Sequence, residues 1–305
     1  MTICGDLRIE NSVTLKQPGA ASGYRYTTIE GDVYLLNTST WDMSNNTWIK
    51  LKGDFEKDNT ARINANYPLN YLESTGITTQ NINGNFTGIN KFSNLIINNT
   101  QMTNFEGPAD VSLFLYLRSG IVKTTIDNIL RSTRSAGNGL IQVLINFTAV
   151  EGPISLVLKD TSPVKYIPVG TNSIRKSISP LNLPSISGTW IGEYFNTSPT
   201  LDGMSHLSMD DPPLKTISQS EYWRITGPNG VASRIQLTLD GTSDIAAGIS
   251  DINNLRIVYW NGSEWEVAGT SATITGDASS GTISTTTAFT FDGTEQYFTL
   301  GAVET

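Results

Sequence analysis

A step of glycine, aspartate and an apolar residue occurs three times near the start of the chain: Gly5-Asp6-Leu7, Gly31-Asp32-Val33 and Gly53-Asp54-Phe55. The steps recur at intervals of roughly 20 to 30 residues, the length of one turn in many solenoid proteins. From Leu7 to Leu15 the apolar residues keep a period of two, which is typical of a strand with one buried face. The repeat predicts a parallel β-solenoid of the β-helix kind. An antiparallel sandwich with irregular loops is the alternative.

The composition favours strands and turns over helices. Charged residues make up only 16% of the chain, whereas helices favour residues such as Glu and Lys. The formal net charge is -8 and the basic residues are scattered, which argues against nucleic acid as a partner. The chain has one cysteine, Cys4, and one histidine, His206, so an internal disulfide and a cysteine- or histidine-rich metal site are excluded.

Targeting signals are not evident in the sequence. No apolar run approaches the roughly 20 residues of a membrane-spanning helix, so membrane insertion is not expected. The start, Met1 to Asp6, is neither basic nor continuously apolar, so we do not interpret it as a signal peptide. We expect either a cytosolic chain or a piece of a longer exported protein.

The last third of the chain has the pattern of an antiparallel β-sandwich. Ser233 to Asp240 alternates apolar and polar residues, as a strand with one face on a core does. Leu255 to Trp260 leads into Asn261-Gly262-Ser263 and then Glu264 to Val267, which predicts a hairpin with an Asn-Gly turn. We expect further strands at Ser220 to Ile225 and at Tyr297 to Gly301, and a sandwich built from these short strands.

A polar, glycine-bearing segment from Arg131 to Gly139 separates the two patterns. We therefore predict a solenoid domain at residues 1–133 and a sandwich domain at residues 134–305. Two sub-sheets of the sandwich are expected to meet near Thr216.

Several short stretches resemble the recurring modules of very large secreted Bacteroidetes surface proteins. The stretches are Phe92 to Asn99, Ser119 to Val122, Phe147 to Pro153, Tyr166 to Gly170, Glu221 to Trp223, Leu239 to Gly241, Tyr259 to Gly262 with Trp265, and Phe298 to Gly301. The resemblance implies a repeat region followed by a sandwich, export by type IX secretion, and a role as an adhesin, including those of gliding motility. It implies no catalytic residues.

Two sets of residues are candidate sites. Asp240, Asp244 and Asp251 surround one predicted loop, where carboxylate oxygens could bind calcium; the alternative is that they are ordinary turn residues. The rings of Trp260 and Trp265 could stack on a sugar. Because aromatic residues in a hairpin also fill the core, core packing is the competing interpretation.

A catalytic role is the weaker hypothesis. Asp32, Asp54, Glu56 and Asp58 form the one acidic cluster of the repeat region. Paired carboxylates there could cleave a glycan, but solvated corners explain them more simply. We expect a non-catalytic structural or adhesive segment of a bacterial cell-surface or secreted fibre protein. The alternative is a glycan-binding module, and surface glycans or neighbouring modules of the same parent protein are the expected partners. No cofactor is expected apart from calcium.

Overall fold

The computed structural model describes residues 1–65, 67–134, 140–144, 147–162, 165–171, 174–210 and 213–303. The chain forms two compact units, one of residues 1–157 with 162–164 and one of residues 158–161 with 165–305. It is 52% strand and 5% helix, which confirms the predicted all-β class.

The first unit is a parallel β-solenoid of about six turns, as the Gly-Asp repeat predicts. Its strands are β1 (Thr2–Ile3), β2 (Leu7–Ile9), β3 (Thr14–Gln17), β4 (Arg25–Ile29), β5 (Val33–Leu35), β6 (Thr40–Met43), β7 (Thr47–Leu51), β8 (Phe55–Lys57), β9 (Arg62–Asn64), β10 (Tyr71–Ser74), β11 (Gln80–Asn83), β12 (Phe92–Phe105), β13 (Ala109–Lys123), β14 (Leu130–Ser132), β15 (Leu140–Val143), β16 (Phe147–Glu151) and β17 (Ile154–Leu158). A 3-10 turn lies at Gly88–Asn90.

Parallel pairing joins each strand to its counterpart one turn later. The first face contains β1, β4, β7, β10, residues 94–97 of β12 and residues 114–117 of β13, followed by β15. The second face contains β2, β5, β8, β11 and the last parts of β12 and β13, followed by β16. On the third face, β3 pairs with β6 and β6 with β9. Inward residues that share a register position form continuous apolar columns, such as Val33, Phe55 and Ile82, which are buried.

The Gly-Asp step forms a corner between the first and second faces. The backbone N–H of Asp32 donates to Asp6 Oδ1 at 2.9 Å, and that of Asp54 donates to Asp32 Oδ1 at 2.7 Å. One turn further on, the N–H of Asn81 donates to Asp54 Oδ1 at 2.8 Å, and Asn104 Nδ2 donates to Asn81 Oδ1 at 3.1 Å. Each of the three aspartates therefore caps the backbone of the next turn, and where the aspartate repeat ends a side-chain hydrogen bond between Asn81 and Asn104 links the turns.

The glycine of the step is required because the turns approach closely there. A Cβ on Gly53 would lie 2.3 Å from Asp32 Oδ1 and 2.5 Å from the backbone of Gly31. The same atom on Gly31 would lie 2.3 Å from Asp6 Oδ1. Side-chain atoms do not fit at such distances, so the repeated glycine is a packing requirement of stacked turns.

The solenoid extends beyond its predicted end at residue 133. Ile141 of β15 pairs with Leu115 of β13, and Ile154 of β17 pairs with Leu130 of β14, all in parallel. Strands β15, β16 and β17 therefore belong to the last solenoid turn, and the predicted boundary at 133/134 is wrong. Periodicity misses this turn because a short continuous apolar run fits a strand of a parallel sheet and a core strand of a sandwich equally well. Residues 135–139 of the predicted joint lie outside the described residues.

The second unit contains two antiparallel sheets. Its strands are β18 (Ile178–Leu181), β19 (Gly188–Phe195), β20 (Thr216–Ile217), β21 (Tyr222–Thr226), β22 (Ala232–Asp240), β23 (Leu255–Trp260), β24 (Trp265–Val267), β25 (Ala272–Gly276), β26 (Ser280–Thr285), β27 (Phe289–Thr290) and β28 (Glu295–Ala302). Helix α1 spans Asp244–Gly248, and 3-10 turns lie at Pro199–Asp202 and Ile252–Asn254.

The sheets pack as a sandwich, and the predicted hairpin of β23 and β24 is confirmed. One sheet has the order β19, β21, β28, β23, β24, with β20 beside the end of β28. The other has the order β18, β22, β26, β25, and β27 also pairs with β22. Gly192 of the first sheet lies so close to Ile178 of the second that a Cβ would be 2.8 Å from Ile178 Cδ1. Each of the two sheets contains strands that precede Thr216 in the sequence and strands that follow it. The predicted division into two sub-sheets near Thr216 is therefore wrong.

Candidate binding face on the solenoid

The first face of the solenoid carries a row of outward aromatic side chains. Tyr26, Trp48 and Tyr71 occupy the same register position on β4, β7 and β10. Their rings stack from turn to turn: the centroids of Tyr26 and Trp48 are 5.5 Å apart, and those of Trp48 and Tyr71 are 4.7 Å apart with planes at 16°. Tyr24 lies edge-on to Trp48 and Tyr71 at 5.5 and 5.6 Å. Because the strands are parallel and in register, one aromatic residue per turn is enough to form a continuous row of ring contacts.

The row continues on β13 after an interruption. The register partner of Tyr71 on β12 is Asn94, a buried amide, so the stack of rings is broken at this turn. Tyr116 lies 6.5 Å from Tyr71, and the guanidinium of Arg118 lies 5.5 Å from the Tyr116 ring centroid. We call Tyr24, Tyr26, Trp48, Tyr71 and Tyr116 the aromatic row.

A buried carboxylate lies beside the aromatic row. The side chain of Glu73 is only 3% exposed, and Trp48 Nε1 donates to its Oε2 at 2.7 Å. Asn98 Nδ2 donates to Oε1 at 3.0 Å. Lys50 Nζ and Arg118 Nη1 lie 4.0 and 3.9 Å from the two carboxylate oxygens. These hydrogen bonds and cations compensate the carboxylate for the loss of water.

Two tyrosines of the row, Tyr71 and Tyr116, have raised pKa values. Burial, together with a hydrogen bond to Tyr24, raises the pKa of Tyr71 above its usual range. Burial also raises the pKa of Tyr116. Because the ring faces of Trp48 and Tyr71 cover each other, the surface offers mainly ring edges and hydroxyls. Tyr26, which is 50% exposed, is the member of the row with the most accessible ring.

The predicted acidic cluster lies on the second face and at its corners. Asp32 and Asp54 cap the next solenoid turn. Asp58 accepts hydrogen bonds from the backbone N–H groups of Thr60 and Ala61, each at 2.8 Å. Glu56 is exposed and lines a shallow groove of about 190 Å³. Three of the four carboxylates are therefore hydrogen-bond acceptors within the solenoid itself.

Trp260 and Trp265 do not form an exposed pair. Trp265 is 0% exposed and packs in the sandwich core with Met204, Leu214 and Tyr222. A fully buried ring offers no face to a sugar, so the prediction of a binding role for Trp265 is wrong. Trp260 is half-buried and packs edge-on against Trp265 at 5.4 Å.

The three aspartates of the predicted calcium site have separate partners. Asp240 Oδ1 lies 2.8 Å from Lys176 Nζ, and Asp244 Oδ1 accepts from Ser218 Oγ at 2.6 Å. Asp251 accepts from the backbone N–H of Asn253 at 2.9 Å and caps a 3-10 turn. Among the described residues, no group of three His, Cys, Asp or Glu side chains is placed to hold a metal. The calcium prediction therefore has no support in the geometry.

Comparison with known proteins yields no relative. No family model, no curated protein and no solved structure matches this chain. The resemblance to Bacteroidetes surface proteins therefore stays a prediction. Over the described residues, no helix is long and apolar enough to cross a membrane.

Sequence reasoning did not find the aromatic row. The available signal is the recurrence of Tyr26, Trp48 and Tyr71 at intervals of about one solenoid turn. That signal becomes readable only when the register of the turns is known.

Proposed function

We propose that this chain is a non-catalytic structural and adhesive module of a cell-surface or secreted fibre protein, acting outside the cell. The observation that carries the proposal is the use of polar side chains in the solenoid. Asp6, Asp32 and Asp54 bind the backbone of the next turn rather than facing a common cleft. These carboxylates therefore serve to join neighbouring turns of the solenoid.

A mechanical role agrees with this arrangement. Parallel backbone ladders join each turn to the next, and capped corners and stacked aromatic rings strengthen the contacts between the earlier turns. The stability of a solenoid is approximately a sum of interactions between neighbouring turns, so these contacts set its resistance to force. Polymeric surface glycans or adjoining modules of a parent protein are the partners that such a role would involve.

Single-molecule force spectroscopy of the whole chain tests the mechanical role. Asp32→Ala is expected to lower the force at which the solenoid unfolds, because it removes the cap on the corner at Asp54. Asp127→Ala, at an exposed aspartate of the same unit, is the matched control and is expected to leave that force unchanged. Equal unfolding forces for both variants and the wild type would contradict the proposal.

Glycan binding at the aromatic row is the second candidate. It is favoured by the exposed ring of Tyr26, with Trp48 and the compensated carboxylate of Glu73 beside it. Aromatic rings and fixed polar groups together suit a sugar, which has apolar faces and a rim of hydroxyls.

A glycan array distinguishes this candidate from a purely structural row. Tyr26→Ala is expected to abolish binding of any glycan captured by the wild type, whereas Trp260→Ala in the other unit is expected to retain it. Binding that survives Tyr26→Ala, or a wild type that captures nothing, would remove this candidate.

A further inference from the structure

A buried lysine lies between two carboxylates in the sandwich unit. The side chain of Lys176 is only 1% exposed, and its Nζ lies 2.8 Å from Glu221 Oε2 and 2.8 Å from Asp240 Oδ1. The third ammonium hydrogen goes to Ser243 Oγ at 3.0 Å. Lys176 precedes β18, Asp240 ends β22, and antiparallel pairing of these strands brings the two side chains together.

The surroundings of this group are aromatic. The ring centroid of Tyr194 lies 5.7 Å from Lys176 Nζ, and the Tyr194 hydroxyl donates to Glu221 Oε2 at 3.1 Å. Trp223, which is fully buried, donates from Nε1 to the Lys176 carbonyl oxygen at 3.0 Å. Ions so far from water are costly, and each must be compensated by its neighbours.

Compensation is incomplete on the carboxylate side. Within the described part of the chain, Glu221 Oε1 and Asp240 Oδ2 are buried without a hydrogen-bond partner. Buried polar atoms without partners are uncommon and require an explanation. By contrast, Asp240 Oδ1 accepts from the backbone N–H of Thr242 at 2.9 Å and from Thr242 Oγ1 at 2.6 Å.

We propose that Lys176 and Asp240 condense to an intramolecular amide bond, with Glu221 as the proton carrier. Lys176 Nζ passes a proton to Glu221 Oε2 and, as an amine, attacks Cγ of Asp240. In the tetrahedral intermediate, negative charge develops on Oδ1, where the two Thr242 donors stabilise it. That first proton and a second one released from Nζ travel through Glu221 to Oδ2, which leaves as water.

The step balances without a further reactant. One C–N bond forms, one C–O bond breaks, one water is released, and Glu221 returns to its starting state. Asp240 rather than Glu221 is the acceptor of the amine. Asp240 Oδ1 has two donors from Thr242 in addition to the lysine, whereas Glu221 Oε2 has only Lys176 and the Tyr194 hydroxyl. The product removes two opposite charges from the interior, and it removes the unpartnered Oδ2. Fixed proximity of amine and carboxyl supplies the main acceleration.

Intact-mass spectrometry of the purified full chain tests the proposal. The folded protein is expected to be lighter than its sequence by one water, and a digest is expected to contain a branched peptide joining Lys176 to Asp240. Glu221→Gln is expected to keep the full sequence mass, since the proton carrier is lost while the side-chain shape is preserved. A wild type that keeps its full sequence mass after long incubation in the folded state would overturn the proposal.

Asp240 is followed by Gly241, and this pair can also lose water by forming a cyclic imide. Lys176→Arg separates the two reactions, because arginine keeps the charge but not the amine. Water loss that disappears in Lys176→Arg supports the amide bond. Water loss that persists there, with no branched peptide in the wild type, assigns the loss to the imide and refutes the proposal. Near-ultraviolet circular dichroism of each variant reports whether the sandwich is folded.

Discussion

Substituting Gly53 by alanine is expected to destabilise the solenoid strongly. The new Cβ would lie 2.3 Å from Asp32 Oδ1 and 2.5 Å from the Gly31 backbone. Overpacking of this kind costs about 1 to 3 kcal/mol. Displacement of the Asp32 carboxylate from the Asp54 N–H adds roughly 1.5 to 3 kcal/mol for a hydrogen bond to a charged group. The lower entropy of the unfolded alanine chain returns only about 0.4 to 1 kcal/mol.

The net expectation is a loss of roughly 2 to 5 kcal/mol in the solenoid unit. Gly5 is the matched control, because it holds the same place in the first Gly-Asp step and has no heavy atom near its Cβ position. Gly5→Ala is therefore expected to be neutral or slightly stabilising. Hydrogen exchange read on peptides from residues 25–65 gives the free energy of opening within this unit. Equal opening free energies for both variants would refute the explanation of the repeat.

Two further predictions concern charge and burial. Burial raises the pKa of Asp58, but hydrogen bonds from the backbone N–H groups of Asn37, Ala61 and Thr60 outweigh it and lower the pKa to about 2. The Asp58 carboxylate therefore stabilises the fold fully above its usual pKa, and this stabilisation is lost as the pH falls toward 2. The difference in Tm between the wild type and Asp58→Asn should shrink as the pH falls through this range. A difference in Tm that stays constant would contradict the role given to Asp58. Trp265→Ala is expected to lower the free energy of unfolding, measured in urea, by about 3 to 5 kcal/mol, and Trp260→Ala is expected to lower it clearly less. Similar losses for the two variants would contradict the finding that only Trp265 is fully buried.

The Gly-Asp repeat was sufficient to predict the solenoid, because closely packed turns require glycine and aspartate at the same position of successive turns. The repeat also has a limit: Asn81 stands at the corner position of the missing aspartate and accepts a hydrogen bond from Asn104 Nδ2, and a search for Gly-Asp alone stops before it. Which tryptophan of the hairpin is buried could not be predicted, because alternation fixes a period and not the position of the core. The group around Lys176 was equally hidden, since strand pairing joins positions that are far apart in sequence.

Cysteine cross-linking tests the register of the solenoid most directly. Thr28 and Lys50 are register partners on β4 and β7, and neighbouring strands place such residues about 5 Å apart, within reach of a disulfide. In a background where Cys4 is serine, the pair Thr28→Cys and Lys50→Cys is expected to oxidise readily. The offset pair Thr28→Cys and Lys52→Cys is expected to remain reduced. Equal cross-linking of both pairs, or none in the first, would contradict the parallel register on which the account depends.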